Sequence, residues 1–143
     1  MKIKKMNWFV QYVLTWNWPN AITLAPFGIY IKEGKDTSYT INEEKTHWYQ
    51  QLEVYVIGII ISLITQLILL YFKIYAWWLI IFVIFPFVFY YIWYFIEWAI
   101  KVITPPRGAY YDIGFEREAK AHRFDNTYPE MRKHFAWFNR IKS

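Results

Sequence analysis

Two uncharged stretches, residues 54–72 and 74–96, constrain this chain more than any other feature, and Lys73 alone separates them. They hold nineteen and twenty-three residues. At about 1.5 Å of rise per residue, each is long enough as a helix to cross roughly 30 Å of hydrocarbon. A connection of one charged residue between two such helices makes them antiparallel neighbours. Pro86 falls in the middle of the second and predicts a kink there. Composition agrees. Hydrophobic residues make up 57% and aromatic residues 24% of 143 positions, against about 45–50% apolar in a typical globular domain. A chain of this length does not enclose enough volume to hide that excess from water.

The polar remainder excludes several classes. There is no cysteine, so disulfide scaffolds, thiolate metal sites and cysteine nucleophiles are ruled out. Three histidines are too few for a multi-histidine cluster such as that of membrane desaturases. The net charge of +5 sits at the two ends of the chain and not in one stripe, which fits membrane flanks better than nucleic acid. Six Lys or Arg precede the first span, one lies between the spans and nine follow. That asymmetry predicts both termini in the cytoplasm, in a bacterial inner membrane.

The rest of the chain divides around the spans. Residues 1–18 open with lysines and carry Trp8, Phe9, Tyr12, Trp16 and Trp18, which predicts an interfacial segment with rings at headgroup level. Residues 22–31 are β-rich and interrupted by Pro26 and Gly28, as in an edge strand. A helix is predicted to begin near Thr40, where Thr40 and Glu43 match a capping box, and to run on into the first span. After a stiff breaker at 104–108, residues 110–124 have a helical pattern and 128–141 suggest a further short helix. The expected units are therefore 1–53, the hairpin at 54–100, and a tail at 101–143.

Two polar islands adjoin these apolar runs. The first is Asn42-Glu43-Glu44-Lys45-Thr46-His47, leading to Gln50, Gln51 and Glu53. On a helix Glu43 and His47 are four apart and share a face, with Gln50 a turn further on. The second is Phe115-Glu116-Arg117-Glu118-Ala119, after the second span. A hairpin that crosses and returns brings both islands to one membrane face.

These strings carry a resemblance. The first resembles the metallopeptidase helix HExxH followed by glutamines, with Glu43 in place of the first histidine. The second resembles the ExxA segment of gluzincins, including HtpX-like membrane endopeptidases. With Pro26-Phe27-Gly28 upstream, Tyr110 or Tyr111 and Phe135-Ala136-Trp137 downstream, the order is similar to that of small membrane zincin-like proteins of Bacteroidetes and their phages, over roughly residues 22–140. The resemblance implies Glu43, His47 and Glu116 as metal ligands, Glu44 as general base, and a peptide substrate at the membrane surface. Two carboxylates and one imidazole leave a dication little net charge, which makes its bound water less acidic than in a two-histidine site. They also weaken the preference for zinc over manganese or magnesium. A weakened Zn2+ site, another divalent metal and a metal-free site all stay open.

Plainer readings stand beside it. Glu43 and Glu44 are what a first helical turn prefers, through capping and dipole. His47 fits an ordinary hydrogen-bonded histidine, residues 116–118 a solvated face, and the glutamines interhelical contacts. A di-iron carboxylate site needs two Glu-x-x-His pairs, and only Glu44 and His47 have that spacing. The expected fold is mainly α and membrane-integral: an antiparallel two-helix hairpin with a small α+β zincin-like cytoplasmic subdomain. The expected function is a metallopeptidase-like hydrolase, active or degenerate. The alternative is a non-enzymatic two-span effector or adaptor, holin-like or exclusion-type, working through helix packing. The lipid bilayer is the expected partner, a nucleic-acid role ranks last, and the sequence leaves the oligomeric state open.

Overall fold

A computed structural model describes residues 1–17, 19–74, 77–103 and 109–141. The chain is mainly helical, with two long apolar helices and one small sheet. Strands β1 (Ile3–Lys5), β2 (Ala21–Leu24) and β3 (Gly28–Ile31) form it in the order β1-β3-β2. β2 and β3 are an antiparallel hairpin with Thr23 opposite Ile29, and β1 runs parallel to β3 with Ile3 opposite Ile29. The predicted single edge strand at 22–31 is thus a hairpin whose turn holds Pro26, after a cis Ala25–Pro26 bond. Gly28 at φ +150° enters the central strand, and a Cβ there would meet Lys2 O at 3.0 Å. Only glycine takes that conformation readily. The aromatic opening segment folds as a short π-helix at Phe9–Leu14 with Val10 buried. Trp18 lies outside the described residues.

Helix α1 (Ser38–Tyr71) is continuous from the polar island into the apolar run. Its cap is Thr37, whose hydroxyl accepts the Thr40 amide at 3.4 Å. The helix therefore starts before the expected capping box at Thr40, and its first turn holds no acid. Glu43 and Glu44 sit in the second turn, so capping does not explain them. At the far end Lys73 adopts a left-handed φ of +54° and the Ile74 amide returns to Leu69 O at 2.9 Å, closing the helix. A 3₁₀ turn at Trp77–Ile80 leads into α2 (Ile81–Ile103), which runs through Pro86. The expected second span at 74–96 thus starts later as an α-helix and continues past Glu97. Residues 104–108, the expected breaker, lie outside the described residues.

Both helices are long and apolar enough to cross a membrane. They pack antiparallel: Tyr55 meets Phe87 and Val54 packs with Tyr90. At Gly58 the backbones come close enough that a Cβ would stand 2.8 Å from Pro86 Cα. The small residue accommodates the proline ring. Gly58→Leu is expected to force the helices apart and cost about 1–3 kcal/mol, as overpacking does. Thermal unfolding in detergent checks it, and an unchanged midpoint would show that the helices do not meet there.

The tail is shorter in helix than its sequence pattern suggests. It has α3 (Gly114–Ala121), one turn of α4 (Tyr128–Met131) and a 3₁₀ turn at Ala136–Arg140. Val54, Tyr90, Ile113, Phe115 and Trp137 form a core where the tail meets the hairpin, and Ile29, Ile31 and Trp48 form a second one beneath the sheet.

Candidate functional site

Three faces of α1 build the site. Glu44, Trp48 and Gln51 fall on the stripe towards the sheet, spaced by four and three residues. Thr23 Oγ1 of β2 lies 2.7 Å from Glu44 Oε2 and 2.9 Å from the Glu44 carbonyl. The Gln51 amide docks on the same strand, donating to Thr23 O and accepting from Ala25 N, both at 2.8 Å. Asn42 points to the tail and donates to Arg123 O at 3.0 Å and Asn126 Oδ1 at 2.7 Å. His47 and Gln50 face α3.

Gln50 decides the state of His47. Its Nε2 donates at 3.0 Å to both Phe115 O and Glu118 Oε2, which only accept. Its Oε1 is therefore the atom facing His47 Nδ1 at 2.8 Å, and Nδ1 carries the proton. In the neutral ring the free lone pair is then on Nε2, which faces Glu116 Oε1 at 3.6 Å. A ligand histidine is commonly oriented in this way, through its other ring nitrogen. Glu116 also accepts from Tyr94 OH at 3.1 Å, and its second oxygen pairs with Lys120 Nζ at 2.8 Å. The lysine ammonium lies 4.4 Å and 4.0 Å from the ring centroids of Tyr110 and Tyr111.

The hairpin and tail thus bring His47 and Glu116 together, from residues far apart in sequence. Glu44 and Glu43 line the same cavity of about 400 Å³, together with Tyr94, Tyr110 and Lys120. The Glu43 carboxylate is drawn towards Arg123, 3.8 Å away. A second cavity of about 510 Å³ shares Pro19, Ala21, Glu43, Glu44, Tyr110 and Tyr111 with the first, so the two form one groove beside β2.

Charge is balanced tightly here. Burial pushes the Glu43 carboxyl above its ordinary range against the pull of Arg123. Burial does the same to Glu44, against His47 and the Thr23 hydroxyl. For His47 burial disfavours the charged ring, but the Glu116 and Glu44 carboxylates outweigh it and raise its pKa. Burial likewise works against ionised Glu116, and His47 and Lys120 outweigh it and hold the carboxyl low.

The donor set can be tested against a divalent ion. Nitrogen and oxygen ligands at about 2.0–2.2 Å from one tetrahedral ion stand roughly 3.4 Å apart. The observed 3.6 Å between His47 Nε2 and Glu116 Oε1 fits a shared ion. Among the described residues no three His, Asp or Glu side chains converge on one point. Loading would need Glu43 to turn from Arg123 towards the pair. Lys120 and Tyr94 were not among the expected site residues. The spacing of Glu116 and Lys120, four apart on a helix, was a signal for the first. Tyr94 had none, being one ring in an aromatic run. Compared with family models, with curated proteins and with solved structures, the chain matches none.

Proposed function

We propose that this chain is a membrane-anchored hydrolase of metallopeptidase type, with a two-span hairpin holding a zincin-like subdomain at the cytoplasmic face of a bacterial inner membrane. One observation carries it. A fixed Nδ1–H tautomer leaves His47 Nε2 facing Glu116 Oε1 across the width of one ion, in a groove that also holds Glu44. The cap of α1 at Thr37 supports it by removing the capping explanation of Glu43 and Glu44.

His47, Glu116 and Glu43 would hold the ion, Zn2+ or another divalent metal. When bound it would polarise the scissile carbonyl and activate water. Glu44, steadied by Thr23, takes the proton of the attacking water and passes it to the leaving amine. Tyr110 or Tyr111, at the groove wall, donates to the developing oxyanion.

Metal binding by purified protein tests this. Wild type is expected to bind Zn2+ or Mn2+, and His47→Ala to lose it. Lys120→Met removes the ammonium paired to Glu116 and is expected to tighten binding at least tenfold, about 1.4 kcal/mol. Binding by none of the three would overturn the reading. The Lys120–Glu116 pair favours a second reading, in which the cluster is a metal-free ion-pair network in a two-span effector that acts by helix packing. Function that survives His47→Ala but fails in Gly58→Leu would mark that case.

A further inference from the structure

Membrane crossing by α1 and α2 sets a level for every part of the sheet, because the sheet is tied to α1 at known heights. The uncharged run of α1 starts at Val54. Gln51, three residues earlier, lies about 4.5 Å above it along the helix axis. Gln51 holds Thr23 O and Ala25 N at the end of β2. The other end of β2 lies near the start of α1, since Asn20 and Ala21 share a cavity with Thr37 and Thr40. Thr37 is seventeen residues before Val54, about 25 Å higher. β2 therefore descends towards the apolar run, and the hairpin turn at 25–28 is its lowest point.

The residues at that turn have the character of a lipid contact. Phe27 is 64% exposed at the tip with no core to enter. β1, parallel to β3, brings Lys2 beside it, with Lys2 O accepting the Ile29 amide at 2.9 Å. Met1 and Ile3 are exposed there, as are Lys2 and Lys4. Tyr91 of α2 reaches the same level, its hydroxyl 3.4 Å from Thr23 O. Apolar side chains at the bottom with lysines around them are what an interface with anionic headgroups selects.

We infer that the β2–β3 turn is a second membrane contact, in which Phe27 enters the headgroup layer of the bilayer that the hairpin crosses while Lys2 and Lys4 face lipid phosphates. On α1 the residues just past Val54 include the exposed Val56 and Ile60. This rests on the membrane reading above. It would fix the sheet, and with it Thr23 and the groove, against rotation about the hairpin axis. The aromatic segment at Phe9–Leu14 leaves the sheet at Met6, beside Ile31, and returns at Asn17, beside Lys32. That is the opposite end of the sheet.

The chain has no cysteine, so single-site spin labels are clean. Phe27→Cys, Leu63→Cys and Glu33→Cys are labelled in the full chain and placed in vesicles of phosphatidylethanolamine and phosphatidylglycerol. Collision with oxygen is compared with collision with a water-soluble nickel chelate. Leu63, exposed in the middle of the uncharged run of α1, reads lipid, and Glu33, just past the high end of β3, reads water. The label at 27 is expected to shift from the Glu33 value towards the Leu63 value. A label at 27 as accessible to nickel as at 33, while 63 reads lipid, overturns the inference and leaves the hairpin standing. If 63 reads water, the membrane reading fails and takes the inference with it.

Discussion

Arg132→Met is expected to destabilise the protein by about 3–5 kcal/mol, the usual cost of removing one partner from a buried charge network. The guanidinium side chain is 3% exposed and lies between two carboxylates. Nη1 and Nη2 donate to Glu53 at 2.6 and 3.3 Å, and Nε and Nη2 donate to Glu118 at 2.6 and 3.1 Å. Trp137 Nε1 donates to Glu53 at 3.1 Å and Tyr128 OH to Glu118 at 3.0 Å, but both are neutral donors, so the arginine supplies the buried positive charge that balances the two carboxylates. Glu53 is the last charge before the apolar run of α1, and Glu118 belongs to α3. The network therefore pins the tail to the hairpin. Methionine fills much of the volume but leaves two carboxylates buried and facing one another. Thermal unfolding in detergent measures the loss, and protease cutting of the tail reports where it occurs. Adding Glu53→Gln and Glu118→Gln removes the repulsion and is expected to recover part of the stability. A midpoint within about 0.5 kcal/mol of wild type, the ordinary range for surface changes, would show that the guanidinium is not buried between them.

On the hydrolase reading, Glu44→Gln is expected to lower peptide hydrolysis by about 10²–10⁴-fold while metal binding is kept. The amide is nearly isosteric, and its oxygen can still accept from Thr23 Oγ1, so the side chain keeps its place on β2. What it loses is the ability to take a proton. His47→Ala, by contrast, is expected to lose activity and metal together. The contrast separates a base from a ligand. Equal turnover by wild type and Glu44→Gln, with metal bound in both, would remove Glu44 from the chemistry. The geometry makes a structural explanation of the loss testable as well. Thr23→Val breaks the hydroxyl contact but leaves the acid, so it is expected to reduce turnover less than Glu44→Gln.

The legible part of this protein was its periodicity and its charge gaps. Two uncharged runs around Lys73 specify two long apolar helices, because helix length and hydrophobicity are local properties of the chain. The antiparallel packing follows from the short connection. The four-residue spacing of Glu43 and His47 likewise places them on one face with no tertiary information. The sheet was less legible. Ile3–Lys5 gives no strand signal beyond three residues, and it becomes a strand because β3 offers a parallel partner. The helix start was misplaced because a Thr-x-x-Glu string at Thr40 competes with the cap at Thr37, and only the backbone path of the preceding loop chooses between them.

The sequence by itself thus determined the apolar hairpin and the candidate acids and imidazole of the polar islands. Tertiary structure alone decided which atoms meet. That His47 turns Nε2 to Glu116 depends on Gln50 being held by Phe115 O and Glu118, sixty-five and sixty-eight residues away. That Tyr94 and Lys120 share Glu116, and that Arg132 locks the tail, depends on how α2 and α3 return against α1. Hydrogen-bond direction and ion pairing act over a few ångströms between parts distant in sequence. Local pattern carries no record of them until the chain has folded.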